Sequence, residues 1–152
     1  MQAHLDVPPD LLDAFRTAGV GELEPGAPSI LAAPAGHGDW PSTLEALTGL
    51  YRKARAAAIE GSPVVFLVSS DALLGRTGAL NAMAAMGVVS AARTLALELR
   101  KQGAVANCLA SGVDTPRDET VQWSLHLLAG SADGPSGEVV QLGGAQIGKA
   151  LS

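Results

Sequence analysis

One stretch of this sequence leaves the chain little freedom in how it folds. From about Gly78 to Lys101 the residues read as one long helix ended by Gly103, and from Ala79 to Ala92 almost every side chain is small or apolar, Asn81 and Ser90 excepted. A helix apolar on all sides must be covered on all sides. One side can lie on a sheet, but the other needs a further partner, and a chain of 152 residues has little left to supply it. Another subunit is the expected cover; burial inside one chain is the alternative. Alanine and glycine let helices approach closely, and Met83 and Met86 are suited to filling irregular gaps. The stretch is not expected to span a membrane. It is mostly alanine and runs straight into Arg93, short of the roughly 20 strongly apolar residues a span needs.

The elements around this helix alternate. Pro8 to Gly19 reads as a short helix, with Leu11, Leu12, Phe15 and Ala18 on one face. Gly21 to Pro28 is a loop, Ser29 to Ala33 a strand, and Pro34 to Pro41 a second loop. Ser42 is a candidate N-cap with Glu45 completing a capping box, for a helix to about Ile59 whose apolar face is Leu44, Leu47, Leu50 and Tyr51. Val64 to Val68 is continuously apolar, as in a parallel strand buried on both faces. Ala104 to Leu109, Val121 to Leu128 and Glu138 to Leu142 read as strand, helix and strand. Strands alternating with helices specify an α/β fold with a parallel sheet and right-handed crossovers.

Composition excludes several function classes. A net charge of -5, with ten Lys and Arg scattered along the chain, makes no basic stripe for nucleic acid. The single cysteine, Cys108, excludes a disulfide framework and a cysteine-based zinc site. His4, His37 and His126 lack ligand spacing, so no metal is expected. Met1 to Asp13, with its acids and Pro8-Pro9, lacks the basic start and apolar run of a signal peptide, and a cytoplasmic protein is expected. Ser70 and Asp71 stand outside any G-x-S-x-G elbow, which argues against a hydrolase. Cys108 is read as an inert core residue, Asp114 and Asp118 as solvated turn residues, and the Arg52, Lys53, Arg55 run as a solvated face. Trp40 and Trp123 are read as packing anchors, Trp123 with a possible partner role.

The motifs then fall into an ordered set. Val64-Val65-Phe66-Leu67-Val68-Ser69-Ser70 resembles the strand of the short-chain dehydrogenase/reductase family that ends in the catalytic serine. Arg93-Thr94-Leu95-Ala96-Leu97-Glu98-Leu99 is similar to that family's R-x-L-A-x-E-L. Val105 to Gly112 resembles V-N-x-V-x-P-G, and Asp114-Thr115-Pro116 the turn after it. Ser136-Gly137-Glu138 with Gly143-Gly144 resembles the terminal T-G-x-x-x-x-x-D-G-G. Upstream, Ile30 to Gly36 resembles L-V-N-N-A-G, and Leu47-Thr48-Gly49 the end of N-L-T-G. The resemblance implies one Rossmann-like doubly wound domain over residues 1–152. It also implies a truncated one, lacking the first βαβ unit, with Asp6-Val7 as the remnant of a later strand.

The departures from the family pattern bear directly on chemistry. The family needs a tyrosine as proton donor, a lysine four residues on, a serine, and an asparagine in a water relay. By the resemblance the serine is retained as Ser70, whereas Asn81 stands at the tyrosine position, Ala85 at the lysine position and Ala46 at the asparagine position. An amide does not act as a general acid near neutral pH, and alanine supplies no cation. Tyr51, the one tyrosine, lies on another helix. The Gly-rich turn that holds a dinucleotide is missing too, and Pro34 to Gly38 lacks its spacing, so no cofactor is expected. The segment between Gly112 and Gly137 is short where the family carries a helical lid.

Three functions remain open. The first is a non-catalytic subunit that assembles with itself or with an active short-chain dehydrogenase, its interface drawn from Ala82, Ala85, Met86, Val89, Leu47 and Leu50. The second is an oxidoreductase component whose partner supplies cofactor site and proton donor. The third is a small-ligand binding module with a crevice near Ser70, Asn81 and Gly112.

Overall fold

The computed structural model describes residues 1–35, 38–131 and 133–143. Six parallel strands form one sheet: β1 (Gln2–Asp6), β2 (Gly21–Glu22), β3 (Ser29–Ala32), β4 (Val64–Ser69), β5 (Ala106–Ser111) and β6 (Val139–Gln141), in the order β2-β1-β3-β4-β5-β6. Between them run α1 (Pro9–Thr17), α2 (Trp40–Ile59), the short α3 (Ser70–Leu73), α4 (Ala79–Arg100) and α5 (Arg117–Leu128). The chain starts at an inner strand, builds outward to β2, then crosses back past β1 and adds strands the other way. That reversal defines a doubly wound, Rossmann-like sheet, as the element pattern predicts.

β4 organises the interior. Val64, Phe66 and Val68 face one core, shared with α2 and α4, while Val65 and Leu67 face the other. Phe15 of α1 and Val121, Leu127 and Leu128 of α5 complete that second core. Strict alternation of sides with no polar face is the pattern of a strand covered by helices on both sides. α4 lies on β4 and β5 through Ala84, Ala85, Val88, Ala92, Leu95, Ala96 and Leu99, all buried. By length and composition α4 is apolar enough to cross a membrane, and here one face of it packs on the sheet and on α2 while the other stays exposed.

Four differences from the sequence reading have physical causes. The chain opens on a βαβ unit after all: residues 2–6 form β1, which pairs with both β2 and β3, so a short β1-α1-β2 occupies the place expected to be empty. Only Ala3 of β1 is buried, too weak a pattern to read as a strand. The N-cap of α2 is Asp39, whose carboxylate accepts a hydrogen bond from the Ser42 N–H at 2.8 Å. Pro41 therefore lies inside the first helical turn, where its missing N–H costs nothing. α5 begins at Arg117 rather than Val121, and α3 follows β4 directly, capped by the Ser69 hydroxyl accepting from the Ala72 N–H at 3.3 Å. Trp40 and Trp123 are not buried anchors but stay 42% and 39% exposed.

Asn107 on β5 closes the far edge of the sheet. Its amide donates to the Pro135 carbonyl at 2.8 Å and accepts from the Glu138 N–H at 3.1 Å, fixing the loop that feeds β6. The residue is 1% exposed, so its own amide depends on these two bonds rather than on water. Asn107→Ala is expected to cost about 1–3 kcal/mol. Urea unfolding followed by circular dichroism measures this; an unchanged midpoint would mean that the clamp contributes nothing.

Candidate functional site

In a doubly wound sheet, ligands bind outside the carboxyl ends of the strands, where the strand order reverses. Here that point lies between β1 and β3. Two adjoining crevices open there and share Ala33, Pro34 and Ala35 as a common wall. The smaller, about 230 Å³, is lined further by Ser69 at the end of β4, Ala72 of α3, Thr77, and Asn81 and Ala85 on the first turns of α4. The larger, about 450 Å³, is lined by Asp6, Val7 and Pro8 after β1 and by Ala46, Gly49, Leu50 and Lys53 of α2.

The fold thus brings Asn81 and Ala85 together in one crevice and places Ala46 in the next. The serine that joins them is Ser69. Ser70, singled out from sequence, is fully buried at the start of α3, and its hydroxyl has no hydrogen-bond partner. The adjacent serine makes the local capping bond instead. Two neighbouring serines cannot be separated by motif alone; the turn from strand into α3 decides which one reaches the crevice. Gly112 lines neither crevice.

Among the described residues, the smaller crevice is lined by no group that titrates near neutral pH. Its polar side chains are Ser69, Thr77 and Asn81, and the Asn81 amide donates to the Thr77 carbonyl at 2.9 Å. None of these can act as a general acid or base there. Tyr51 lies elsewhere, in a groove between α2 and α4 lined by Gly87, Ser90 and Ala91, where burial raises its phenol pKa above the ordinary value. In the larger crevice the charged side chains among the described residues are Lys53 and Asp6, and they pair with each other at 2.7 Å.

The residues at the switch point do not fit a dinucleotide. A pyrophosphate needs free N–H groups at the helix N-terminus and glycines that let the backbone approach. Here β1 passes into α1 through Val7-Pro8-Pro9, two consecutive residues without an N–H, followed by Asp10 in the first turn. A hydrogen bond from Arg117 at 2.8 Å holds the Asp10 carboxyl below its usual pKa range, so this position keeps its negative charge. The Pro34–Gly38 loop was set aside as a cofactor turn; its residues Gly36 and His37 lie outside the described residues, as does Gly144.

The remaining candidates are accounted for locally. Asp71 pairs with Arg76 at 3.2 Å, not with a histidine. His4 Nδ1 hydrogen-bonds the Leu23 carbonyl at 3.1 Å, and the His126 ring meets Trp123 edge-on at 5.7 Å. Among the described residues, no group of three His, Cys, Asp or Glu side chains is placed to hold a metal ion. Asp114 and Asp118 are exposed.

The expected interface residues divide. Leu47, Leu50 and Val89 are 3% exposed and lie in the core between α2, α4 and the sheet, and Ala85, also 3% exposed, lies against the smaller crevice, so none is available to a partner as drawn from sequence. Their apolar character is consumed by the pairing of α2 with α4 inside this chain. Met86 is 49% exposed, Ala82 is half-buried, and Met83 and Leu97 of α4 are 56% and 72% exposed.

No family model matches the chain, and no curated protein matches it. Its fold is that of short-chain dehydrogenase/reductase structures. It superposes on such a dehydrogenase from Mycobacterium smegmatis with TM-score 0.59 at 22% identity, over 90% of this chain and 64% of that one. It matches one from Serratia marcescens with TM-score 0.61 at 14% identity, over 93% and 94% of the two chains. An NADPH-dependent reductase involved in bacilysin biosynthesis matches with TM-score 0.57 at 14% identity, over 90% and 70%.

Cys108 gives a pH test of this interior. Burial pushes its thiol from the ordinary 9.0 up to about 12, partly offset by the charge of Arg93. In the unfolded chain the thiol ionises first, so its contribution to stability is complete below about pH 9 and is lost as pH rises toward 12. The stability of the parent is expected to fall more steeply over that window than that of Cys108→Ala, as read from urea midpoints at each pH. Parallel pH profiles would contradict the burial of this thiol.

Proposed function

We propose that this chain is a non-catalytic relative of the short-chain dehydrogenases that works by assembly, pairing with a second copy or with an active member of that family in the cytoplasm. The observation that carries this reading is the smaller crevice. At the place where the fold would bring a tyrosine, a lysine and a serine together, the side chains are Asn81, Ala85 and Ser69. The outer face of α4 supports the reading as well, because Met83, Met86 and Leu97 leave it apolar and uncovered. Leu44 on α2 is a further exposed apolar residue, at 47%.

Assembly through this face is tested by sedimentation velocity on Met86→Arg. Met86 is exposed, so the charge should be tolerated by the monomer, whereas a substitution at Ala85 would test folding instead. The parent is expected to sediment as an oligomer, alone or mixed with an active dehydrogenase, and the variant is expected to shift toward monomer. A parent that is monomeric in both settings overturns the proposal.

The same reading predicts no measurable binding of NADH or NADPH to the isolated chain. Micromolar affinity by calorimetry would favour instead an oxidoreductase component completed by a partner. The polar trio Ser69, Thr77 and Asn81 favours a second reading, a module for a small uncharged ligand. A thermal-shift screen in the absence of partners separates that reading from assembly.

A further inference from the structure

The amino-terminal end of the sheet carries a cleft unrelated to the two crevices described above. It measures about 590 Å³ and lies between the last turns of α4 and the loop entering β6. Arg93 and Arg100 stand on the α4 side, with Ala96 and Leu97 between them, and Ala104 lies at its base. The opposite wall is built from Asp133, Gly134, Ser136 and Gly137.

One observation separates this cleft from an ordinary solvated helix face. Its two arginines have no carboxylate partner among the described residues, as is also true of Arg52 and Arg55 on α2, but Arg93 and Arg100 share their cleft with a facing wall that is held in place. The Gly137 N–H donates to the Ala106 carbonyl at 2.7 Å, the Ser136 hydroxyl accepts from the Ala106 N–H at 3.3 Å, and Asn107 grips both ends of the turn. Gly137 lies so close to α4 that a Cβ there would sit 3.4 Å from the Ala96 methyl. The cleft is thus preformed, and little ordering is needed to fill it.

We propose that this cleft binds a small organic dianion with an apolar spacer, of the linear dicarboxylate type. Arg93 and Arg100 are rooted two turns apart, roughly 10 Å along the helix axis. Each guanidinium can grip a carboxylate through two parallel N–H donors. Between them Leu97 offers hydrocarbon surface, 72% exposed with no cover of its own. Asp133 opposes the arginines and repels an anion from the loop wall, so the ligand's charged ends are drawn to α4. The Gly134 and Gly137 N–H groups are already committed to carbonyls, which leaves the guanidiniums as the charged donors of the cleft, beside the Ser136 hydroxyl.

The test titrates the full chain with adipate by calorimetry, beside hexanoate as the matched monoanion. Arg93→Gln and Arg100→Gln are measured in parallel, singly and together. Both arginines are exposed and unpaired, and glutamine keeps the helix propensity, so all variants should melt with the parent. Saturable adipate binding is expected, weakened about tenfold or more by each single substitution and abolished by the pair. Hexanoate is expected to bind at least about tenfold more weakly than adipate. The assignment is overturned by no saturable heat with adipate, by equal binding of hexanoate, or by a double variant that binds like the parent. The crevice that carries the assembly reading does not depend on any of these outcomes, because cleft and crevices are at opposite ends of the sheet, and Met86→Arg probes the outer face of α4 at a residue that does not line the cleft.

Discussion

The close approach of α4 to β4 and β5 is the contact on which the other features depend. A parallel sheet leaves both faces of its central strand to be covered, and β4 meets that demand with side chains that are apolar on every side. Ala84, Ala92 and Ala96 let the α4 backbone come near the sheet, while Val88, Leu95 and Leu99 fill the remaining volume. Packing of this density tolerates little change in volume. It fixes the height of α4 over the strands, and with it the position of both helix ends. The first turns of α4 then stand over the carboxyl ends of β3 and β4 and close the crevice around Asn81 and Ala85. Its last turns stand beside the loop into β6 and form the arginine cleft.

Much of this was readable from sequence, for reasons that differ by element. Val64 to Val68 and the α4 stretch announce themselves because burial on every side suppresses polar residues. The ordered motifs place Asn81 and Ala85 at one site because helical spacing is rigid: four residues return a side chain to the same face. β1 was not legible, since an inner strand with one buried residue carries no periodic signal. Ser69 was confused with Ser70 because one residue decides which way a side chain leaves a strand, and the start of α3 is set by tertiary packing. Leu47, Leu50 and Val89 were assigned to a partner because sequence reports that a residue is apolar, not what covers it. The covering surface proved to be this chain's own α2 and α4.

Fold and chemistry separate cleanly in this molecule because they draw on different residues. The core clusters contain neither Ser69 nor Asn81. Those side chains lie at element ends, where substitution changes reactivity at little cost in packing. Ala85 goes further. Its methyl, 3% exposed, lines the crevice and adds buried apolar surface there instead of a polar group.

The turn after β1 follows the same logic in electrostatic terms. A helix N-terminus attracts anions through its free N–H groups and its positive dipole end. Val7-Pro8-Pro9 removes donors at that point, and Asp10 takes up the dipole with a carboxylate kept ionised by Arg117. In the neighbouring crevice Lys53 is neutralised by Asp6. The carboxyl end of the sheet is therefore left without an uncommitted cation among its lining residues, while Arg93 and Arg100 stand unpaired at the opposite end. A ligand that enters the smaller crevice meets, among the described lining residues, the neutral polar groups of Ser69, Thr77 and Asn81.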